Sequence, residues 1–249
     1  MKSKQAFFEA LTAGSTVGGI TQGTNLLNKS LYEVFDLLLN PYQPPAFTSF
    51  GISGQATTLE IGDSINSGSK TFTWGTSNSA NVQANSITIA DNSGTLLSSE
   101  ANDGSATYTL GSNITNTTVG STRTFTITGT NTNSSTFSTS FTVTWRANLY
   151  VGKNTGTTIN EAAAEALTAS LGGVPTGPKS FSAGAGYIYY VYPATFADIN
   201  TMKDQATNLD VPYINLADIS ITNSFGTTTT YKVFRTLNQL NGAITLITT

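Results

Sequence analysis

In several stretches between residues 46 and 148, hydroxyl-bearing and large apolar side chains alternate one for one. Thr71-Phe72-Thr73-Trp74, Thr124-Phe125-Thr126-Ile127-Thr128 and Phe141-Thr142-Val143-Thr144-Trp145 are the clearest stretches. A period of two belongs to a strand with one wet face and one buried face. A helix with that spacing would scatter its aromatic rings around the whole circumference. Shorter pieces follow the same rule: Phe47, Ser49 and Ile52 with Phe50 opposite, Leu59 and Ile61 around Glu60, Ile87-Thr88-Ile89, and Tyr108-Thr109-Leu110. Asn92-Ser93-Gly94 and Asn102-Asp103-Gly104 supply turns between them. About seven short strands in roughly a hundred residues fit an immunoglobulin-like sandwich, with Trp74 and Trp145 as core residues.

The chain before this region has a different period. Ala6, Phe7, Ala10 and Leu11 share one helical face, and the glycine-rich stretch from Gly14 to Gly23 reads as an extended arm. Ser30 and Glu33 form a capping box, followed by Leu31, Val34, Phe35 and Leu38 on one face, with Pro41 as the stop. Leu37 and Leu39 add apolar surface on the other side, more than one short helix can hide by itself. Pro41-Tyr42-Gln43-Pro44-Pro45 is a stiff extended connector. Met1-Lys2-Ser3-Lys4 superficially suggests a secretion signal, but Glu9 interrupts the apolar run, so none is expected.

After Leu149-Tyr150-Val151-Gly152, Thr158 and Glu161 predict a second capping box and an alanine-rich helix through Leu171, stopped at Gly172-Gly173. Tyr187-Ile188-Tyr189-Tyr190-Val191-Tyr192 is apolar or aromatic at every position, which predicts a strand covered on both faces, inside a sandwich or at a subunit interface. A short helix is expected over residues 197–203. Strands are expected at Ile214–Ile221, Thr229–Leu237 and Ala243–Ile247. The expected fold is therefore mainly β. A helical N-terminal arm with its connector (residues 1–45) leads into an immunoglobulin-like β-sandwich (46–148) and a second β-rich, α+β domain (149–249).

Composition bears on chemistry. The 249 residues include no histidine and no cysteine. That removes Ser–His–Asp and Cys–His catalysis, thiolate zinc sites and haem ligation by these residues. Carboxylate pairs, lysine or threonine nucleophiles and oxygen-ligated cations survive. Asp91, Glu100 and Asp103 are the nearest thing to an acidic cluster, and they read as turn residues rather than a calcium site. No catalytic, cofactor-binding or metal-binding residue is assigned, and the chain is read as a non-enzyme without cofactors. Gly184-Ala185-Gly186 and Gly18-Gly19 lack the context of a phosphate loop. The Asn-x-Ser/Thr triplets are what chance produces in so amide- and hydroxyl-rich a chain. Net charge is −3, so no nucleic-acid footprint is expected. No apolar run has the roughly 18–20 residues of a membrane-spanning helix. Charged residues make up only 10%, which suits a subunit held in a fixed assembly.

Several strings carry a resemblance. Leu37-Leu38-Leu39-Asn40-Pro41-Tyr42-Gln43-Pro44-Pro45-Ala46-Phe47-Thr48-Ser49-Phe50 is followed by Leu59-Glu60-Ile61-Gly62-Asp63-Ser64, Thr71-Phe72-Thr73-Trp74, Asn102-Asp103-Gly104-Ser105 and Phe141-Thr142-Val143-Thr144-Trp145. Later come Tyr187-Ile188-Tyr189-Tyr190-Val191-Tyr192-Pro193, Thr222-Asn223-Ser224-Phe225-Gly226 and Thr230-Tyr231-Lys232-Val233-Phe234-Arg235. From about Leu26 onward this order resembles a family of tailed-phage virion proteins with an immunoglobulin-like central domain. The resemblance implies a structural subunit of the virion, located in a tail fibre, baseplate or neck, with other virion proteins as partners. It transfers no catalytic motif. A homo-oligomer is expected, with a trimer favoured by analogy to fibres. Phe7, Phe8, Leu31, Phe35 and Leu38 are the expected assembly anchors, joined by Tyr187 and Tyr189. The alternative is a module binding a host receptor or surface glycan, motivated by the tyrosines and the amide-rich loops. A carboxylate-based glycan depolymerase ranks below both.

Overall fold

The computed structural model describes Ile20, residues 29–39 and residues 41–249. The helix expected over residues 6–11, Phe7, Phe8 and the glycine-rich arm other than Ile20 lie outside the described residues. Helix α1 (Leu31–Leu39) begins with the expected capping box: Glu33 N–H donates to Ser30 Oγ at 3.2 Å, and Ser30 N–H donates to Glu33 Oε2 at 2.5 Å. The proline connector is tied to the first β region, since Asn81 Nδ2 donates to the Gln43 carbonyl and Asn78 Nδ2 to that of Pro44.

The next strands are β1 (Ala46–Ile52), β2 (Thr58–Glu60), β3 (Ser64–Ile65), β4 (Gly68–Ser77) and β5 (Ile87–Asp91). They continue with β6 (Gly94–Glu100), β7 (Ser105–Leu110), β8 (Ile114–Thr115), β9 (Thr122–Thr130) and β10 (Thr136–Arg146). One sheet has the order β1-β4-β7 and another β2-β10-β9-β5-β6, while β3 and β8 form a short ribbon. All pairings are antiparallel except β2 with β10. Apolar members of the alternation meet between the two sheets: Phe72, Trp74, Ile87, Ile89, Phe125, Ile127, Val143 and Trp145 are buried in one cluster. Phe72 and Phe125 stand 5.7 Å apart, ring centre to ring centre. Their threonine neighbours point outward and pair across strands, Thr124 with Thr142 and Thr126 with Ser140.

The remaining elements are β11 (Asn148–Asn154), α2 (Glu161–Glu165), β12 (Thr168–Leu171), β13 (Gly177–Phe181) and β14 (Tyr187–Pro193). They end with β15 (Met202–Asp204), β16 (Tyr213–Thr222), β17 (Thr228–Thr236) and β18 (Ile244–Thr248). A five-stranded sheet of order β12-β11-β14-β17-β16 carries a smaller sheet, β13-β18-β15, on one face. Leu149, Ile188, Tyr190, Tyr192 and Phe234 pack there with Phe181, Met202 and Leu246. On the opposite face Tyr150, Tyr189, Val191, Tyr231 and Val233 join the cluster of the first two sheets, with Ile159 and Ala164 beside α2. The fold is mainly β, as the alternation implies.

Two expected helices are corrected. The alanine-rich helix ends at Glu165 instead of Leu171, and its cap is Asn160, whose Oδ1 accepts from Ala163 N–H, instead of Thr158. Thr168–Leu171 pairs with the edge of β11, so sheet hydrogen bonds there outweigh the helical propensity of the alanines. Leu167 makes the transition by packing over Gly152, where a Cβ would sit 3.0 Å from its Cδ2. Residues 197–203 form no helix either. Asn200 N–H donates to the Thr249 carbonyl, and Met202 and Lys203 pair with β18.

Only Ala147, itself buried, separates β10 from β11, so no flexible linker joins the two β regions. Their contact is hydrogen-bonded. Asn148 Nδ2 donates to Glu60 Oε1 at 2.9 Å, and Asn223 Nδ2, near the tip of the β16–β17 hairpin, donates to the Ile61 carbonyl at 2.6 Å. Gly62 sits beneath that tip at φ +86°, where a Cβ would meet Thr227 Oγ1 at 2.2 Å.

Candidate functional site

Helix α1 is apolar around most of its circumference. At ~100° per residue, Val34, Leu37 and Leu38 form one side, and these pack with Ile20. Leu31, Phe35, Leu39 and Tyr32 form the adjacent side, and they are 55%, 51%, 76% and 79% exposed. Glu33 and Asp36 fill the remaining narrow stripe. The Leu31–Phe35–Leu39 side has no apolar cover among the described residues. Of the expected anchors, Leu31 and Phe35 are on this open side and Leu38 is on the covered one.

The tyrosine strand is placed differently from the expectation of an assembly anchor. Tyr189 is fully buried inside the chain, and its hydroxyl donates to the Gly156 carbonyl at 2.7 Å. Its ring is spent on the intramolecular core, so it offers nothing to a neighbour, and that reading is corrected. Tyr187 is half-buried, with the Arg235 guanidinium 4.0 Å above its ring centre. Arg235 is 7% exposed, and its Nε and Nη1 have no hydrogen-bond partner among the described residues. Burial pushes the Tyr190, Tyr192 and Tyr231 hydroxyls well above the usual tyrosine range, so these are neutral core phenols.

The acidic residues sit in structural roles. Asp91 accepts from Arg123, from the Ser93 N–H and from the Ser93 hydroxyl, which makes it the pin of the β5–β6 turn. Asp103 accepts from Ser105 N–H, and no metal-sized cluster of carboxylates occurs among the described residues. No helix among them is long and apolar enough to cross a membrane.

A feature with no periodic signal in the sequence lies in the second β region. A groove of about 610 Å³ is lined by Ser180, Phe181, Asp204, Gln205, Asn241 and Thr245 together with neighbouring loop residues. Beside it, Lys153 reaches from β11 to donate to three loop carbonyls, those of Gly184, Leu240 and Gly242, at 2.8, 3.0 and 2.8 Å. One ammonium group thus ties the 240–242 loop, which lines the groove, to the loop carrying Gly184, with all three of its protons used.

No family model and no curated protein matches the chain. Among solved structures it is similar to the alpha-L-rhamnosidase of Streptomyces avermitilis complexed with L-rhamnose. The identity is 9%, the match covers 83% of this chain and 23% of that one, and the TM-score is 0.24. A likeness at that level carries neither fold nor activity across.

Proposed function

We propose that this chain is a structural subunit of a phage virion, in a tail fibre, baseplate or neck, acting through protein–protein assembly and not through catalysis. The observation that carries the reading is the open side of α1, where Leu31, Tyr32, Phe35 and Leu39 stand together on a helix whose other apolar side is already covered. Contiguous exposed apolar surface of this kind marks an interaction site. The placement in a virion rests on the sequence resemblance, and the low charge of the chain agrees with life in a fixed assembly.

The strand order supports an immunoglobulin-like reading of residues 46–148. With β3 and β8 set aside and the others lettered along the chain, β1-β4-β7 corresponds to strands A, B and E. The order β2-β10-β9-β5-β6 then corresponds to A′, G, F, C and C′. In this reading the sandwich and the domain of residues 149–249 are one stiff body, and the arm and α1 (residues 1–45) are the docking element. The chain forms a homo-oligomer, a trimer by analogy with fibres.

Replacing Leu31, Phe35 and Leu39 together with serine tests this. Because these side chains are exposed within the chain, the variant keeps the far-UV circular-dichroism spectrum of the parent, while native mass spectrometry shows the oligomer reduced to monomer and the melting temperature loses its dependence on protein concentration. A parent chain that is itself monomeric and still enters particles after the triple substitution would sink the reading.

A further inference from the structure

We propose that the groove beside Lys153 is a binding site for a neutral saccharide unit, a function separate from the assembly role of α1. Most polar groups around the groove are already committed. Lys153 spends its ammonium on three backbone carbonyls. The Asp204 carboxylate accepts from Ala206 N–H at 3.0 Å and from Thr207 Oγ1 at 2.9 Å, holding the turn of residues 204–207. Ser180 and Thr245 hydroxyls bond each other at 2.9 Å. Both charges flanking the groove are thus occupied with the protein itself, which disfavours an ionic ligand.

Two side chains are uncommitted. The carboxamides of Gln205 and Asn241 are exposed at the groove and have no hydrogen-bond partner among the described residues. Their backbones are nevertheless pinned: Gln205 N–H donates to the Thr245 carbonyl, and the Asn241 carbonyl accepts from Gly184 N–H, both at 2.8 Å. Free amides on a fixed frame are preorganised for recognition, because little backbone order is lost on binding. A carboxamide both donates and accepts, as a sugar hydroxyl does, so the two match without charge. Leu240, Ala243 and Ile244 add apolar surface among these groups, suited to the C–H face of a pyranose ring. The size lies within the usual range for small-ligand pockets of roughly 300–1,000 Å³. The tyrosines of β14, which motivate the glycan alternative in the sequence, are not part of it.

The test is ligand-observed saturation-transfer NMR on the full chain with maltose, lactose and N,N′-diacetylchitobiose, each at ~10 mM, in the affinity range where single-sugar contacts are detected. Gln205→Ala with Asn241→Ala is the paired variant, and it leaves the fold untouched because neither side chain bonds within the protein. The expected result is transfer to at least one of the three sugars, weakened about tenfold or more in the double variant, the loss expected for at least one hydrogen-bonding contact. No transfer to any of the three overturns the proposal. So does transfer that survives the double substitution unchanged, or a preference for glucuronate over the neutral sugars. The α1 triple-serine variant binds as the parent does, so failure here and failure of the assembly reading are read separately.

Discussion

The two β regions solve the same problem of burial in opposite ways. In residues 46–146 the inner strands have one wet and one dry face, and Thr124 and Thr126 sit across the backbone from Phe125 and Ile127. In residues 148–248 the central strand β14 is dry on both faces: Tyr189 and Val191 turn toward the side of α2, where Ile159 and Ala164 join the cluster shared with the first region, and Tyr190 and Tyr192 turn toward β13, β15 and β18. Alternation marks a sheet with solvent on one side, while a continuous apolar run marks a sheet in the middle of three layers. Here one outer layer is the β13-β18-β15 sheet, and the other is α2 with its flanking loop, continued into the first region through the shared cluster. Part of the second region's core is therefore made of contacts with its neighbour, and the two regions are expected to unfold together.

Substituting one fully buried aromatic ring in each region puts that expectation at greatest risk. Trp145→Ala and Tyr190→Ala should each cost about 3–5 kcal/mol, and each should lower one shared calorimetric transition. Two transitions of which only one moves would break the comparison. Gly62→Ala sharpens it at the junction, since the new Cβ would strike Thr227 in a left-handed backbone position. The expected cost is roughly 2–3 kcal/mol, with the single transition dividing into two as the hairpin tip lifts.

The smallest effects concern pH, and they have opposite signs at a turn of the first region and at its junction with the second. Burial pushes the Asp91 carboxyl up, but Ser93 and Arg123 outweigh it and hold the group below its usual value of 3.8. A lowered folded pKa stabilises the fold above 3.8, and that stability is lost as pH falls through the folded value. Asp91→Asn therefore removes about 1–2 kcal/mol at neutral pH and flattens the acid limb of the stability profile. At the junction, burial raises the Glu60 carboxyl above its usual 4.5, and Asp63 and Glu165 add to this while Asn223 and Asn148 oppose it. A raised folded pKa means that stability falls as pH rises from 4.5 through the folded value. Glu60→Gln should thus gain stability near neutrality, by less than about 1 kcal/mol because the group is only half-buried. Urea melts at about pH 2, 4 and 7 check both signs: the Asp91→Asn cost should shrink between the lower two values and the Glu60→Gln gain should grow between the upper two, and shifts equal at all three would refute them.

Much of this fold was legible along the chain because the signals are local. Ser30 and Glu33 are three residues apart and cap α1 without help from elsewhere. Thr71–Trp74 and Phe141–Trp145 display their faces through backbone pleating alone. The misreadings occur where a distant partner competes. Residues 168–171 look helical after Ala162-Ala163-Ala164, yet the open edge of β11 captures them as a strand. Residues 200–203 are claimed by the C-terminal strand. The exposed side of α1 could be anticipated from its leucines. The groove could not, since Gln205 and Asn241 are brought together by β15, β18 and one lysine from β11.

What the sequence determined by itself is the state of those segments whose signals are local, because the two-residue period of a strand and the capping of a helix are properties of a few consecutive backbone units. It also determined that histidine and cysteine chemistry is absent. Only the tertiary structure decided what each dry face touches: that Tyr189 is buried within its own chain, that one side of α1 has Ile20 against it and the other has nothing described, and that two free amides border one groove. Those outcomes depend on which surfaces meet across long stretches of chain, a choice made by the sum of many packing contacts and carried by no short run of residues.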